Sequence, residues 1–219
     1  ASMMTTAPFL YGAQPNMGLY FQPDGPHENP ADLLPRGKIK EAREVQEAAA
    51  EQLRSDLVFV GKKLNTIGCE GLNFDTGGSA GDADFWAALQ AVSDLKKAAP
   101  NMPIIMGGSG EFVLGMHGEV EFNGKRLAGM YAHKQAEMAE AAGAGIYGVA
   151  IGTSTNQSTV WNIARAATFV KKAVTTVNIP IHVNVGMGVG GVPMMEAPPI
   201  DSVTRASKSL VQVGKADGL

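Results

Sequence analysis

The chain has 219 residues, 45% hydrophobic and 18% charged, a length and mix that builds one packed domain without metals or disulfides. Eighteen Lys plus Arg against 21 Asp plus Glu leave a net charge of −3, which excludes whole-chain disorder and argues against a strongly basic nucleic-acid grip. The single cysteine, Cys69, cannot form an internal bridge, and neither a signal peptide nor an apolar run of roughly 18 residues is seen, so a cytoplasmic protein without nucleic-acid or membrane partners is expected. Glycine is the outlier: 27 of 219 residues, about 12% against an average near 7%. The glycines cluster beside apolar runs, where backbone turns sharply or approaches something closely.

In chain order, Phe9 to Gly12 reads as a first short buried strand bounded by turn residues. Lys38 to Ile67 interleaves Lys40, Arg43, Glu47, Glu51 and Arg54 with Ile39, Val45, Leu53, Leu57 and Val60, a long amphipathic helix stopped by Gly68. Gly71 to Phe74 is the second strand. Asp82 to Ala99 is the next helix, with Phe85, Trp86, Leu89, Val92 and Leu95 on its apolar side, Asp82 as its expected N-cap and Pro100 as its stop. Pro103 to Met106 is the third strand. Met116 to Met130 then reads as an inserted β-hairpin turning on Asn123-Gly124. Helix His133 to Ala142, strand Gly145 to Ile151, helix Thr159 to Val177, strand Ile181 to Val185 and helix Asp201 to Val213 complete the chain.

This β-α alternation implies a parallel sheet, either an open doubly wound sheet or a (β/α) barrel. The barrel is preferred, because Gly- or polar-rich clusters follow every strand, at 12–18, 75–81, 107–111, 152–156 and 184–191, where barrel sites are assembled. Five strands fall short of eight, so the expectation is an α/β fold: one TIM-type barrel domain over 1–219, incomplete in this chain, with the hairpin inserted near 116–130.

Chemistry is sought first among acids, since a charge near an apolar strand end needs a reason. Asp75 directly follows Leu72-Asn73-Phe74, and Glu111 ends the loop Gly107-Gly108-Ser109-Gly110; both are candidate catalytic residues, with a solvated loop acid as the plain alternative for Glu111. Glu196, between Pro193 and Pro198-Pro199, joins them as the third acid of an expected negative cup that would favour a small cation such as an amine. Polar groups in the strand-end loops, Tyr11, Thr153, Asn156 and Asn184, complete the expected substrate-binding set with Glu196. His27, His117, His133 and His182 are too scattered for a metal site, so no metal is expected. His117 is a candidate acid or base, whereas His182, inside a strand, reads better as a core histidine. The run Gly186 to Gly191 follows a strand as a dinucleotide fingerprint would, but Pro193, Pro198 and Pro199 defer the helix whose amides would meet the pyrophosphate. Ser109 lacks the nucleophile-elbow pattern, and no lysine sits at a strand end for a Schiff base.

Particular stretches carry more than their spacing. Tyr11 to Tyr20, Asn73-Phe74-Asp75-Thr76 with Gly81 to Phe85, Leu114 to Gly118, Gly186 to Met194 through Pro198-Pro199, and Ser202 to Lys208 followed by Asp217-Gly218-Leu219 resemble the pyrrolysine-containing dimethylamine:corrinoid methyltransferases, over nearly the whole chain. In that family a similar Asp-Gly-apolar tail immediately precedes the pyrrolysine. The resemblance implies a TIM-type barrel and methyl transfer from dimethylamine, in methylamine-dependent methanogenesis, to the Co(I) corrinoid of a separate partner protein. No cofactor is then bound directly, in keeping with the absence of an Asp-x-His-x-x-Gly sequence. It further implies a chain that stops short of the pyrrolysine and is inactive alone. Separately, the unpaired edge of a partial barrel is expected to pair with another fragment or with another copy, as a homo-oligomer. Two other readings stay open: a non-catalytic barrel fragment or scaffold, and a corrinoid-independent barrel lyase for a small cationic substrate.

Overall fold

A computed structural model describes residues 16–152, 158–186 and 188–219. After a 3-10 turn at Met17–Tyr20 come a short helix α1 (Pro30–Leu33), a 3-10 turn at Leu34–Arg36 and the long helix α2 (Ile39–Thr66). Then follow β1 (Leu72–Gly77), α3 (Asp82–Ala98), β2 (Ile104–Gly108), β3 (Glu121–Phe122), β4 (Lys125–Arg126), α4 (Ala132–Ala142), β5 (Ile146–Val149), α5 (Thr159–Val174), β6 (Ile181–Val183) and α6 (Ile200–Gln212). The expected strand Phe9 to Gly12 lies outside the described residues.

Four strands form one parallel sheet in the order β1-β2-β5-β6, and β3 pairs antiparallel with β4 across Asn123-Gly124, both at positive φ. The parallel strands follow one another in chain order, without the reversal that marks a doubly wound sheet. The sheet does not close into a barrel among the described residues. Past α6 the backbone returns beside β6: Asp217 N donates to Ile181 O at 2.8 Å, Val183 N donates to Gly218 O at 3.1 Å, and Gly218 bridges His182 in parallel.

Alternation along the strands explains the layers. Leu72, Phe74, Ile104, Met106, Tyr147, Val149, Ile181 and Val183 point to the helices, and all but the partly buried Leu72 are fully inside the core with Phe85, Leu89 and Val92 of α3. The opposite face carries Asn73, Asp75, Ile105, Gly107, Ile146, Gly148 and His182, and Asn73 and Asp75 are exposed. Parallel strands are ordinarily apolar on both sides, so this polar face is unusual.

Helix α2 lies against α3 through Ala49, Ala50, Leu53 and Leu57. Gly61 permits the closest approach: a Cβ there would sit 2.7 Å from Leu95 Cδ1. Arg54 fastens the same pair of helices through Asp94, 2.6 Å away, and also pairs with Glu51 on its own helix; its guanidinium is held above its ordinary pKa chiefly by the Asp94 hydrogen bond.

Candidate active site

Two adjoining cavities occupy the loop end of the sheet, sharing Ala150 in their linings. The smaller, about 100 Å³, is a trough on the polar sheet face lined by Asn73, Asp75, Gly107, Gly108, Gly148, Val149, Ala150, His182 and Asn184. Its shape follows from register. Gly107 pairs with Gly148 and Gly148 with His182, while Asp75 lies one residue beyond the Phe74–Met106 pair. Asp75, Gly107, Gly148 and His182 thus form one row across the four strands. The outer two members lean over the inner glycines: a Cβ on Gly107 would meet Asp75 Oδ1 at 2.9 Å, and one on Gly148 would meet His182 Nε2 at 2.5 Å. Only glycine leaves this space for the two polar heads.

His182 is half-buried on this face, not a core residue. Burial pushes its pKa below the ordinary histidine value, against an opposing pull from the Asp75 carboxylate, so the ring favours its neutral, hydrogen-bond-accepting form. Asn184, exposed, stands two residues further along the chain and lines the same trough.

The larger cleft, about 470 Å³, is lined by the loops after β1, β2, β5 and β6, including Ser79, Ser109, Glu111, Phe112, Leu114, Gly188 and Met194. Glu111 is no solvated loop acid. It is 6% exposed, and both its oxygens accept from the Arg165 guanidinium on α5. Arg165 lies over Trp161 and Phe169, 5.8 and 5.2 Å from the ring centroids, and its pKa is raised mainly by the Glu111 hydrogen bonds. The loop carrying Glu111 is pinned from below. Gln135 Nε2 donates to Gly110 O at 3.1 Å and Met130 O at 2.9 Å, and the fully buried Tyr147 hydroxyl donates to Gln135 Oε1 at 2.7 Å.

The expected negative cup is therefore divided. Asp75 and Asn184 meet in the trough, Glu111 is neutralised in the neighbouring cleft, and the exposed Glu196 lines neither. Tyr11, Thr153 and Asn156 lie outside the described residues. Asp82 does not cap its helix. Gly81 takes the N-cap position, and the fully buried Asp82 carboxylate instead accepts from His117 N at 2.8 Å and Gly118 N at 2.7 Å, fastening the hairpin approach to α3. The capping-like role passes to Asp84, which accepts from Ala80 N at 3.0 Å and Ser79 Oγ at 3.1 Å. Burial raises the Asp84 pKa against those hydrogen bonds. His117, the candidate acid or base, is bonded to Glu47 at 2.7 Å and lines a separate surface groove.

Sequence reasoning missed Arg165 and Gln135 and undervalued His182. The His182 signal was present: Ile181-His182-Val183-Asn184 alternates apolar and polar, as does Leu72-Asn73-Phe74-Asp75, and period-two alternation marks one polar face. Arg165 carries no such signal, because 54 residues separate it from Glu111.

Among known families, the dimethylamine methyltransferase (Dimeth_PyL) family matches residues 1–219, the whole chain. The chain belongs to the dimethylamine methyltransferase family. No group of three or more metal-ligating side chains is found among the described residues, and no helix there is long and apolar enough to cross a membrane.

Proposed function

We propose that this chain holds the amine for methyl transfer from dimethylamine to the Co(I) corrinoid of a separate, cytoplasmic partner protein. The observation that carries this reading is the family match across 1–219, joined to a trough whose polar lining suits a small cation. In this reading the sheet is an arc of a TIM-type (β/α) barrel and 1–219 is one domain. Strand order without reversal supports the barrel over a doubly wound sheet. A homo-oligomer is part of this reading; a monomer by sedimentation at micromolar concentration would contradict it.

Dimethylamine is a cation at neutral pH, so its site needs a counter-charge and acceptors for its N–H groups. Asp75 supplies the charge, and Asn73 and Asn184 supply amide oxygens from the strands on either side. Glu111, held by Arg165, shapes the wall and does not act on the proton. Tyr11, Thr153, Asn156 and Glu196 stay in this reading as substrate-binding residues proposed from the sequence alone.

In the family, pyrrolysine follows a tail like Asp217-Gly218-Leu219, and its imine is the electrophile that makes the amine nitrogen electron-poor. The remaining task for this chain is to hold the cation and align its methyl carbon with the open mouth.

The test is dimethylamine-dependent methylation of a reduced corrinoid partner, followed by absorbance, for the protein and its Asp75→Asn variant. Asp75→Asn should lower kcat/KM by roughly tenfold or more. Comparable turnover by both would sink the proposal.

A further inference from the structure

The row of Asp75, Gly107, Gly148 and His182 has a feature that a counter-ion alone does not need. The two polar heads rest over adjacent glycines on neighbouring strands, Asp75 Oδ1 over Gly107 and His182 Nε2 over Gly148. Neighbouring strands are about 4.8 Å apart, and a nitrogen donating to two acceptors stands about 2.9 Å from each, so one small ammonium can bridge the pair. The floor beneath is backbone, and Ile105 and Ile146, paired with each other, lie two residues further down the same face. Two acceptors above an apolar step match an ion with two N–H groups and two methyls.

We infer that Asp75 and His182 together select a secondary ammonium ion, Asp75 taking one N–H with the charge and His182 Nε2 taking the other. This rests on the dimethylamine reading of the same trough and assigns His182 as a substrate-binding, specificity-determining residue. A trimethylammonium ion has one N–H and leaves His182 facing a methyl group. A monomethylammonium ion has three, so one must go unpaired or to water. A polar site that loses a partner discriminates more strongly than one that merely has spare room. The lowered pKa of His182 agrees with an acceptor role, since the protonated ring has no lone pair to offer. Gly107 and Gly148 are the enabling residues, because any side chain there would occupy the space of the two heads.

The test is calorimetric titration of the 219-residue chain with dimethyl-, trimethyl- and monomethylammonium chloride at pH 7.5, repeated for three variants. The unaltered chain should prefer dimethylammonium over trimethylammonium by roughly tenfold. His182→Phe should erase the preference while leaving trimethylammonium affinity unchanged; His182→Gln, which keeps an acceptor, should restore part of it; Asp75→Asn should weaken all three ions. Retention of the preference in His182→Phe, or an equal loss for all ions, overturns the role of His182 while leaving the amine site standing. Failure of the unaltered chain to bind any of the ions overturns the amine reading and this one with it.

Discussion

Asp75, inside β1, and Glu111, in the loop after the neighbouring β2, are both acids on the loop side of the sheet, yet the fold gives them opposite surroundings. Glu111 is 6% exposed and its two oxygens are taken by a guanidinium that is itself flanked by Trp161 and Phe169. Asp75 is exposed, faces a glycine floor and shares its trough with a half-buried histidine. A carboxylate answered by a charged partner over both oxygens has little capacity left for a ligand. Position after a strand therefore nominates an acid, and what stands opposite decides its work.

The widest contrast is expected in stability. Glu111→Gln strands the Arg165 charge in a partly buried, aromatic setting and should cost roughly 3 kcal/mol, a fall of roughly 6–12 °C in Tm by calorimetry. Asp75→Asn should cost under about 1 kcal/mol. If the two variants melt together, the division of the two acids into brace and ligand is wrong.

Next comes Asp82→Asn. Its buried carboxylate accepts two backbone amides, so the change should cost about 1–3 kcal/mol in urea denaturation, with no loss of amine affinity. Weakened amine binding without destabilisation would place Asp82 with Asp75.

Smaller still is Gly148→Ala, which drives a methyl into His182 Nε2 and should displace the ring at a cost of about 1–2 kcal/mol. The diagnostic readout is the His182 ring resonance, which should move in Gly148→Ala and stay put in Gly37→Ala, where no atom lies within 4 Å of the added Cβ.

The smallest effect is on pH dependence. His182 has a folded pKa below its unfolded one, so the unfolded chain binds the proton first; stability is full above about pH 6.5 and falls as the pH drops below it. His182→Gln should flatten this decline in Tm measured from pH 7.5 to 5. His133 shifts in the same direction by burial, so a residual slope should remain until His133→Gln is added. An unchanged slope in the double variant would assign the acid sensitivity elsewhere.

Much of the fold was legible in order. The helices expected at Lys38 to Ile67 and Asp82 to Ala99 are found at Ile39–Thr66 and Asp82–Ala98, and the strand at Ile181 to Val185 at Ile181–Val183, because amphipathic periodicity and Gly or Pro stops are local properties. The short helix at Pro30–Leu33 was not foreseen, since four residues carry too little periodicity. Asp82 misled for a related reason. An acid at a helix start looks the same in sequence whether it caps its own amides or accepts those of His117 and Gly118, 35 and 36 residues away.

The sequence by itself determined the β-α alternation, the hairpin turn at Asn123-Gly124 and the placing of Asn184 just past a strand, all of which depend on residues within a few positions of one another; Asp75, expected just past its strand, lies inside β1, which runs on to Gly77. Tertiary structure alone decided that Arg165 pairs with Glu111, that Gln135 and Tyr147 hold its loop, and that Asp75 and His182 share one row over Gly107 and Gly148. The physical reason is register. A shift of one residue between parallel strands turns a side chain to the opposite face, and no local pattern specifies how four strands separated by helices align.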